Sequence, residues 1–188
     1  MQKVKPGAKS SSRHKILIVR ALSAGSVRGR LEWGGRCWPC AIGRAGRHPV
    51  KREGDGRTPV GRWRLRQVLY RADRGLPPQT RLALRPIWPF DGWCDDPQDR
   101  NYNRPVRHPY PASAEHLFRP DHLYDVIVIL ECNDTPRVKG RGSAIFMHLA
   151  HPGYQPTAGC IAFSERDLKL ILARCTRGTV LVDRKSVV

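Results

Sequence analysis

Nine of the sixteen prolines in this chain fall between Arg71 and Pro120. Each fixes φ near about −65° and removes a backbone donor, so neither a long helix nor a central strand can run unbroken through that stretch. Regular structure there is expected to be sparse. Insertions of this length inside one domain are usually functional loops or lids. Within the insertion, Ser113 to Phe118 reads as a short helix.

Regular structure must therefore come from the two flanks, and both read as short strands. His14 to Leu22 is apolar and β-branched, and Val27, Gly29, Leu31 and Trp33 alternate with polar residues, as a half-buried strand requires. Gly34-Gly35 then supplies a tight turn into Arg36–Ile42, which predicts a hairpin. Arg62–Leu69 is a further strand. Leu123–Cys132 is the clearest buried strand, ending at the turn signal Asn133-Asp134-Thr135-Pro136. In Ser143–His148, Ala144, Phe146 and His148 share one face. One helix is legible: Ser164 stands three residues before Asp167 as in a capping box, and Leu168, Ile171, Leu172 and Cys175 recur at helical spacing, with Gly178 as the expected C′ residue. Thr179–Asp183 returns as a strand. The expected fold is mainly β, a barrel-like sandwich of two packed sheets with one short helix and long Pro-rich loops.

A chain of 188 residues suits one domain. Residues 1–13 are polar and basic, with too little apolar surface to offset the entropy of ordering them, and are expected to form a disordered tail ahead of a domain at 14–188. The net charge of +18 belongs mostly to the domain, and attracts phosphate, carboxylate or an anionic envelope surface. The longest aliphatic run, Val126–Leu130, is far too short to span a membrane. Ile16–Val19, enclosed by Lys15 and Arg20, is too short for the apolar core of a signal peptide, so no export address is expected in the chain as given. Without such a signal, the six cysteines read mostly as thiols.

Cys160 has the most chemical setting of the six. It follows Gly159 in a turn, with His148 at a strand end twelve positions earlier. A thiol is mostly protonated at neutral pH, so nucleophilic use needs a nearby imidazole. His148 could take that proton. His151 competes on spacing alone, but a strand end is more rigid than a loop residue preceding Pro152. With no Cβ, Gly159 lets the backbone turn so that amides near Cys160 face a developing oxyanion. Thr157 could bond across the turn or to substrate. These parts describe acyl transfer.

The arrangement of strand His148, a loop, and Thr157-Ala-Gly159-Cys160-Ile161 resembles the catalytic motif of the YkuD-type L,D-transpeptidases, enzymes of peptidoglycan maturation. Gly54-Asp-Gly56-Arg-Thr58-Pro59-Val-Gly61 is similar to an upstream family segment. Asp91-Gly-Trp-Cys-Asp-Asp96, Tyr102-Asn103, Tyr124-Asp125 and Gly142–His148 resemble a compact branch without signal sequences. The resemblance implies Cys160 as nucleophile, His148 as base and the Gly159–Cys160 turn as oxyanion site, with His151, Tyr154, Arg141 and Asn103 as candidate substrate contacts. It further implies stem peptides of peptidoglycan as substrate and a place in the cell envelope or periplasm, without metal or cofactor. Attack between the diamino acid and the terminal D-alanine would form a thioester, for which a second stem's amine and water would compete. The chain departs from the common motif in its short His-to-Cys spacing, in Ala158 where many members have His, and in Ala162 where many have Arg or Asn. Another arginine would have to meet the substrate carboxylate.

Rival motifs are weaker. Within a strand, Cys37 and Cys40 face opposite sides, which argues against a redox pair or half a zinc site. Glu53-Gly-Asp-Gly56 lacks the Lys-Ser/Thr of a P-loop and the ligand register of an EF-hand, and reads as a tight turn walling a cleft. Asp95, Asp96 and Asp99 read as solvated turn residues. Trp33, Trp38 and Trp63 suit strand faces. The alternatives to the enzyme are a catalytically idle family member and a basic module binding nucleic acid through Arg-rich strands with interleaved Trp. The latter is disfavoured because the arginines are spread along the chain with no reader motif.

Overall fold

The computed structural model describes residues 15–183, so the expected tail at 1–13 lies outside the described residues. Among the described residues, fourteen strands and one helix follow in chain order: β1 Ile16–Ala21, β2 Arg28–Trp33, β3 Arg36–Ala41, β4 Arg47–His48, β5 Thr58–Pro59, β6 Gly61–Tyr70, β7 Ala83–Pro86, β8 Asp91–Cys94, β9 Pro105–Arg107, β10 Ala114–His116, β11 Val126–Leu130, β12 Phe146–Leu149, β13 Ile161–Phe163, α1 Glu165–Leu172 and β14 Val180–Asp183. The main sheet runs β11-β12-β13-β3-β2-β1-β14-β6-β7, and β6 also pairs with β11, which closes eight strands into a barrel-like ring with β7 as an extra edge. The long β6 makes the closure. Gly61–Arg64 pair with β14, and Leu65–Tyr70 with β11.

The predicted hairpin is β2–β3. Gly34 and Gly35 both take positive φ, 55° and 76°, as the tightest hairpin turn demands. The helix is capped as its sequence indicates, Ser164 Oγ accepting from the Asp167 amide at 3.1 Å, and it buries Leu168, Ile171 and Leu172. Its end differs from expectation. Ala173 caps it in right-handed conformation, followed by tight bonds from Arg174 N to Ile171 O and Cys175 N to Leu172 O, so Gly178 falls in the turn before β14 rather than at C′.

The Pro-rich insertion is more regular than expected. β8, β9 and β10 form their own three-stranded antiparallel sheet, and Ser113–Phe118, read as a helix, contains strand β10. Its register decides this: Ala114, Glu115 and His116 pair with Cys94, Trp93 and Gly92, and strand pairing outcompetes a helix too short to hold itself. Pro105 is tolerated as the first residue of edge strand β9.

This inserted sheet covers one side of the barrel wall. All five residues of β11 are buried, because both of its faces are occupied. Val126, Val128 and Leu130 join the larger core with Met147, Leu149 and Leu168, whereas Ile127 and Ile129 join a second cluster with Trp93, Leu117, Tyr124, Phe146 and Cys160. Fully burying a Val or Ile side chain contributes roughly 1.5–3 kcal/mol, so the second cluster firmly docks the insertion on the wall. Among the described residues no helix is long and apolar enough to cross a membrane.

Candidate active site

Strands β12 and β13 run side by side in parallel, with Met147 opposite Ile161 and His148 opposite Ala162. Continuing the register by one residue puts Cys160 level with Phe146. Residues paired across parallel strands point to the same side, so His148, Phe146 and Cys160 all face the insertion. Strand spacing and rise put the Cα atoms of His148 and Cys160 about 8 Å apart on that diagonal. His148 is buried, its Nδ1 2.8 Å from the carbonyl of Leu149. A carbonyl only accepts, so Nδ1 carries the hydrogen and Nε2 keeps its lone pair. The Cys160 thiol donates to the Ala144 carbonyl at 3.2 Å and receives the Phe146 amide at 3.4 Å rather than bonding to the imidazole.

The turn ahead of Cys160 is held from several sides. Thr157 Oγ1 donates to the Cys160 carbonyl at 2.7 Å and accepts the Gly159 amide at 3.1 Å. Its backbone joins the segment after β3, Thr157 N to Ile42 O at 3.0 Å and Arg44 N to Thr157 O at 2.8 Å. Gly159 has φ +142°, and a Cβ there would lie 2.9 Å from the Arg57 carbonyl oxygen, so both backbone and space require glycine. Within the Gly159–Cys160 turn, expected as the oxyanion site, the Gly159 amide donates to Thr157 Oγ1. Of the two roles open to Thr157, the structure displays the bond across the turn.

Cys160 lines a cavity of about 280 Å³ together with Ala144, Ala158, Tyr124 and charged groups of both signs. Arg44 and Lys51 stand in its wall, and so do Glu53, Asp95 and Glu115. The Gly-Asp-Gly turn shapes this wall as expected: Asp55 pairs with Lys51 and accepts the amides of Arg52 and Arg57 at 2.8 and 2.9 Å. Tyr124 OH donates to Glu115 at 2.6 Å, while its ring meets His148 edge-on at 5.3 Å between centroids. A larger hollow of about 580 Å³ lies elsewhere, on the β1–β3 face, lined by Ile16, Ile18, Trp33 and Cys37. Neither Cys160 nor any residue of the Thr157–Cys160 turn lines it, so size does not mark the chemical site here.

The four candidate substrate contacts lie away from this cavity's lining. Asn103 is buried, with a side chain fully engaged inside the protein. It accepts from Trp93 Nε1 at 2.9 Å and Ala144 N at 3.2 Å, and donates to the carbonyls of Cys132 and Asn133 at 3.0 and 2.8 Å. It positions Ala144, which in turn holds the thiol. Arg141 lines a separate hollow of about 320 Å³ with Trp63 and Asp134. His151 is exposed, and its carbonyl receives the Tyr154 amide in a loop turn. Sequence reasoning missed Arg44 and Glu115 altogether. Asp95, read as solvated, is half-buried with an Oδ1 that has no hydrogen-bond partner. Ala162 lies inside β13, paired with His148 and Ala41. Cys37 is exposed and Cys40 buried, on opposite sides of β3.

Burial drives the electrostatics. It pushes the Cys160 thiol up to about 12, reinforced by the negative charge of Glu115, and pushes the His148 imidazole down to about 4. Both groups therefore rest neutral at pH 7. Because the folded His148 value lies below the ordinary 6.5, the unfolded chain binds the extra proton first as pH falls. The stability associated with neutral His148 is full above pH 6.5 and is lost toward pH 4, a decline of at most about 3 kcal/mol. Urea midpoints measured across that window should fall for the wild type and stay flatter for His148→Gln. Parallel curves would show that His148 does not carry the loss.

With this geometry in view, comparison with known proteins gives one result. The chain matches the family model of YkuD, the L,D-transpeptidase catalytic domain, over residues 19–187, and it belongs to that family. No curated protein and no solved structure matches it.

Proposed function

We propose that the protein is a cysteine-dependent L,D-transpeptidase that uses Cys160 as nucleophile and His148 as base on stem tetrapeptides of peptidoglycan. The observation that carries this reading is the placement of Cys160. It lines a charged cavity and shares one strand face with an imidazole whose Nε2 is free to accept a proton. Family membership supplies the reaction class.

In this reading, rotation about Cα–Cβ swings the thiol from the Ala144 carbonyl toward Nε2. His148 takes the proton as Sγ attacks the carbonyl between the diamino acid and the terminal D-alanine. The amide of Cys160, next to the committed amide of Gly159, is the backbone donor proposed for the oxyanion. The imidazolium then protonates the leaving D-alanine amine, and the tripeptide remains as a thioester. With Ala162 in place of a charged residue, Arg44 in the cavity wall takes over the substrate carboxylate. Peptidoglycan lies in the cell envelope, and a net charge of +18 suits an anionic wall.

Intact-mass measurement after incubation with a tetrapeptide stem tests this directly. The expected outcome is a gain of one tripeptide acyl group on Cys160 and free D-alanine in solution, with a donor amidated at its terminal carboxylate reacting at least tenfold more slowly. An unchanged mass at several pH values would reject the assignment.

A further inference from the structure

Resting on that reading, we infer that Glu115 is the acceptor-side residue of the reaction, the carboxylate that binds the incoming amine as an ammonium and removes its proton. His148 and Glu115 approach Cys160 from different directions. The imidazole lies along the barrel wall, two residues up the neighbouring strand, and is not part of the cavity lining. Glu115 comes from the inserted sheet, on β10, and lines the cavity with the thiol. A second substrate reaching the thioester through that cavity therefore meets Glu115 first, and comes within reach of His148 only as it attacks.

The surroundings of Glu115 suit an ammonium. One oxygen is held by the Tyr124 hydroxyl at 2.6 Å, which fixes the carboxylate while leaving its other oxygen for a ligand. Tyr124 is itself fixed, with its ring edge-on to Phe146 at 6.2 Å and to His148 at 5.3 Å. Asp95 and Glu53 add negative charge in the same wall, where Lys51 is paired with Asp55 and Arg44 is assigned to the donor carboxylate, and Arg119 acts on Glu115 from outside it. Glu53 is already occupied by Tyr102 and by Ser143 Oγ at 2.8 Å, which leaves Glu115 better placed than Glu53 to receive a proton. Burial also lifts the Glu115 carboxyl above the ordinary range and brings its proton affinity nearer to that of an amine.

The proton balance closes with two acceptors. The ammonium gives one proton to Glu115, and its nitrogen attacks the thioester carbonyl. As the C–N bond forms, the nitrogen gives a second proton to His148. The C–S bond breaks, and Sγ recovers that proton from the imidazolium, leaving an amide, a thiol and one proton on Glu115 for release to solvent. Water attacking the same thioester carries no positive charge and gains little from Glu115. The residue thus favours cross-linking over trimming.

The partition of the thioester tests this on the full chain. Tetrapeptide donor is supplied with a stem-peptide amine acceptor, and cross-linked product is compared with hydrolysed tripeptide. In Glu115→Gln the ratio of cross-linked to hydrolysed product should fall ten- to a hundredfold, with acylation of Cys160, read by mass, reduced far less. Tyr124→Phe keeps the ring packing, frees Glu115 from its hydroxyl partner, and should lower the ratio severalfold. Glu115→Asp should restore part of it. An unchanged ratio in Glu115→Gln, or equal losses in acylation and aminolysis, would overturn the inference while leaving the nucleophile assignment intact. No acyl adduct on the wild-type protein would overturn both.

Discussion

Cys160→Ala is expected to abolish both the acyl adduct and D-alanine release, and His148→Gln to slow acylation by about 10²–10⁴-fold with the fold retained. The two variants fail for different reasons, which the environment of the pair explains. Burial holds the thiol near 12 and the imidazole near 4, so no ready-made thiolate exists to attack without help. Removing sulfur removes the covalent step. Removing Nε2 leaves a thiol that must lose its proton to solvent from a site with little access to it. The pH dependence follows with a definite sign: wild-type acylation should fall as pH drops through about 4, where His148 protonates and can no longer accept, and should show no inflection near pH 8.5. His148→Gln should instead rise with pH over the alkaline range as thiolate forms unaided. A variant as fast as wild type in D-alanine release would remove His148 from the mechanism and turn attention to His151.

Asn103→Ala should be the most destabilising substitution near the site, by about 3–5 kcal/mol in urea unfolding. Truncation strands two donors, Trp93 Nε1 and the Ala144 amide, and two carbonyls, those of Cys132 and Asn133. Each buried polar group left unpaired costs roughly 1–3 kcal/mol, and the backbone at Asn103 sits at φ 55°, which Asn tolerates better than Ala. The effect should reach the chemistry as well. Ala144, held by Asn103 and itself at φ 51°, presents the carbonyl that orients the thiol. Acylation measured below the unfolding range should therefore drop along with stability. A loss under 1 kcal/mol would mean that water replaces the amide.

Much of the barrel was legible because its strands announce themselves one at a time. Val27–Trp33 alternates, Gly34-Gly35 can make only a tight turn, and Leu123–Cys132 is too apolar to face water on either side. The turn before Cys160 was legible as a turn, since Gly159 and Thr157 are residues whose backbone needs show in sequence. Closure of the ring was not, because it depends on β6 serving β14 with one half and β11 with the other, a long-range property of register. The insertion was misjudged for a related reason. Proline density forecasts broken ladders, yet three-residue strands between prolines pair well once β8 lies between β9 and β10. Glu115 could not be picked out because only that pairing and the docking of the insertion bring it to the cavity. Asn103 was noticed for its resemblance to a family position and assigned a contact role. Nothing local reveals that its four bonds are spent within the protein.

The second hydrophobic cluster joins two pieces: the wall carries sulfur and imidazole, and the docked insertion carries Glu115 on β10 and Asp95 just after β8. If Cys160 and His148 react as proposed, changes of side chain on the insertion would retune which partner is accepted without disturbing them, provided that Trp93 and Leu117 still fill their places. Under the proposed function, such a division would let one durable chamber be adapted to differently cross-linked walls through a handful of substitutions between residues 91 and 118.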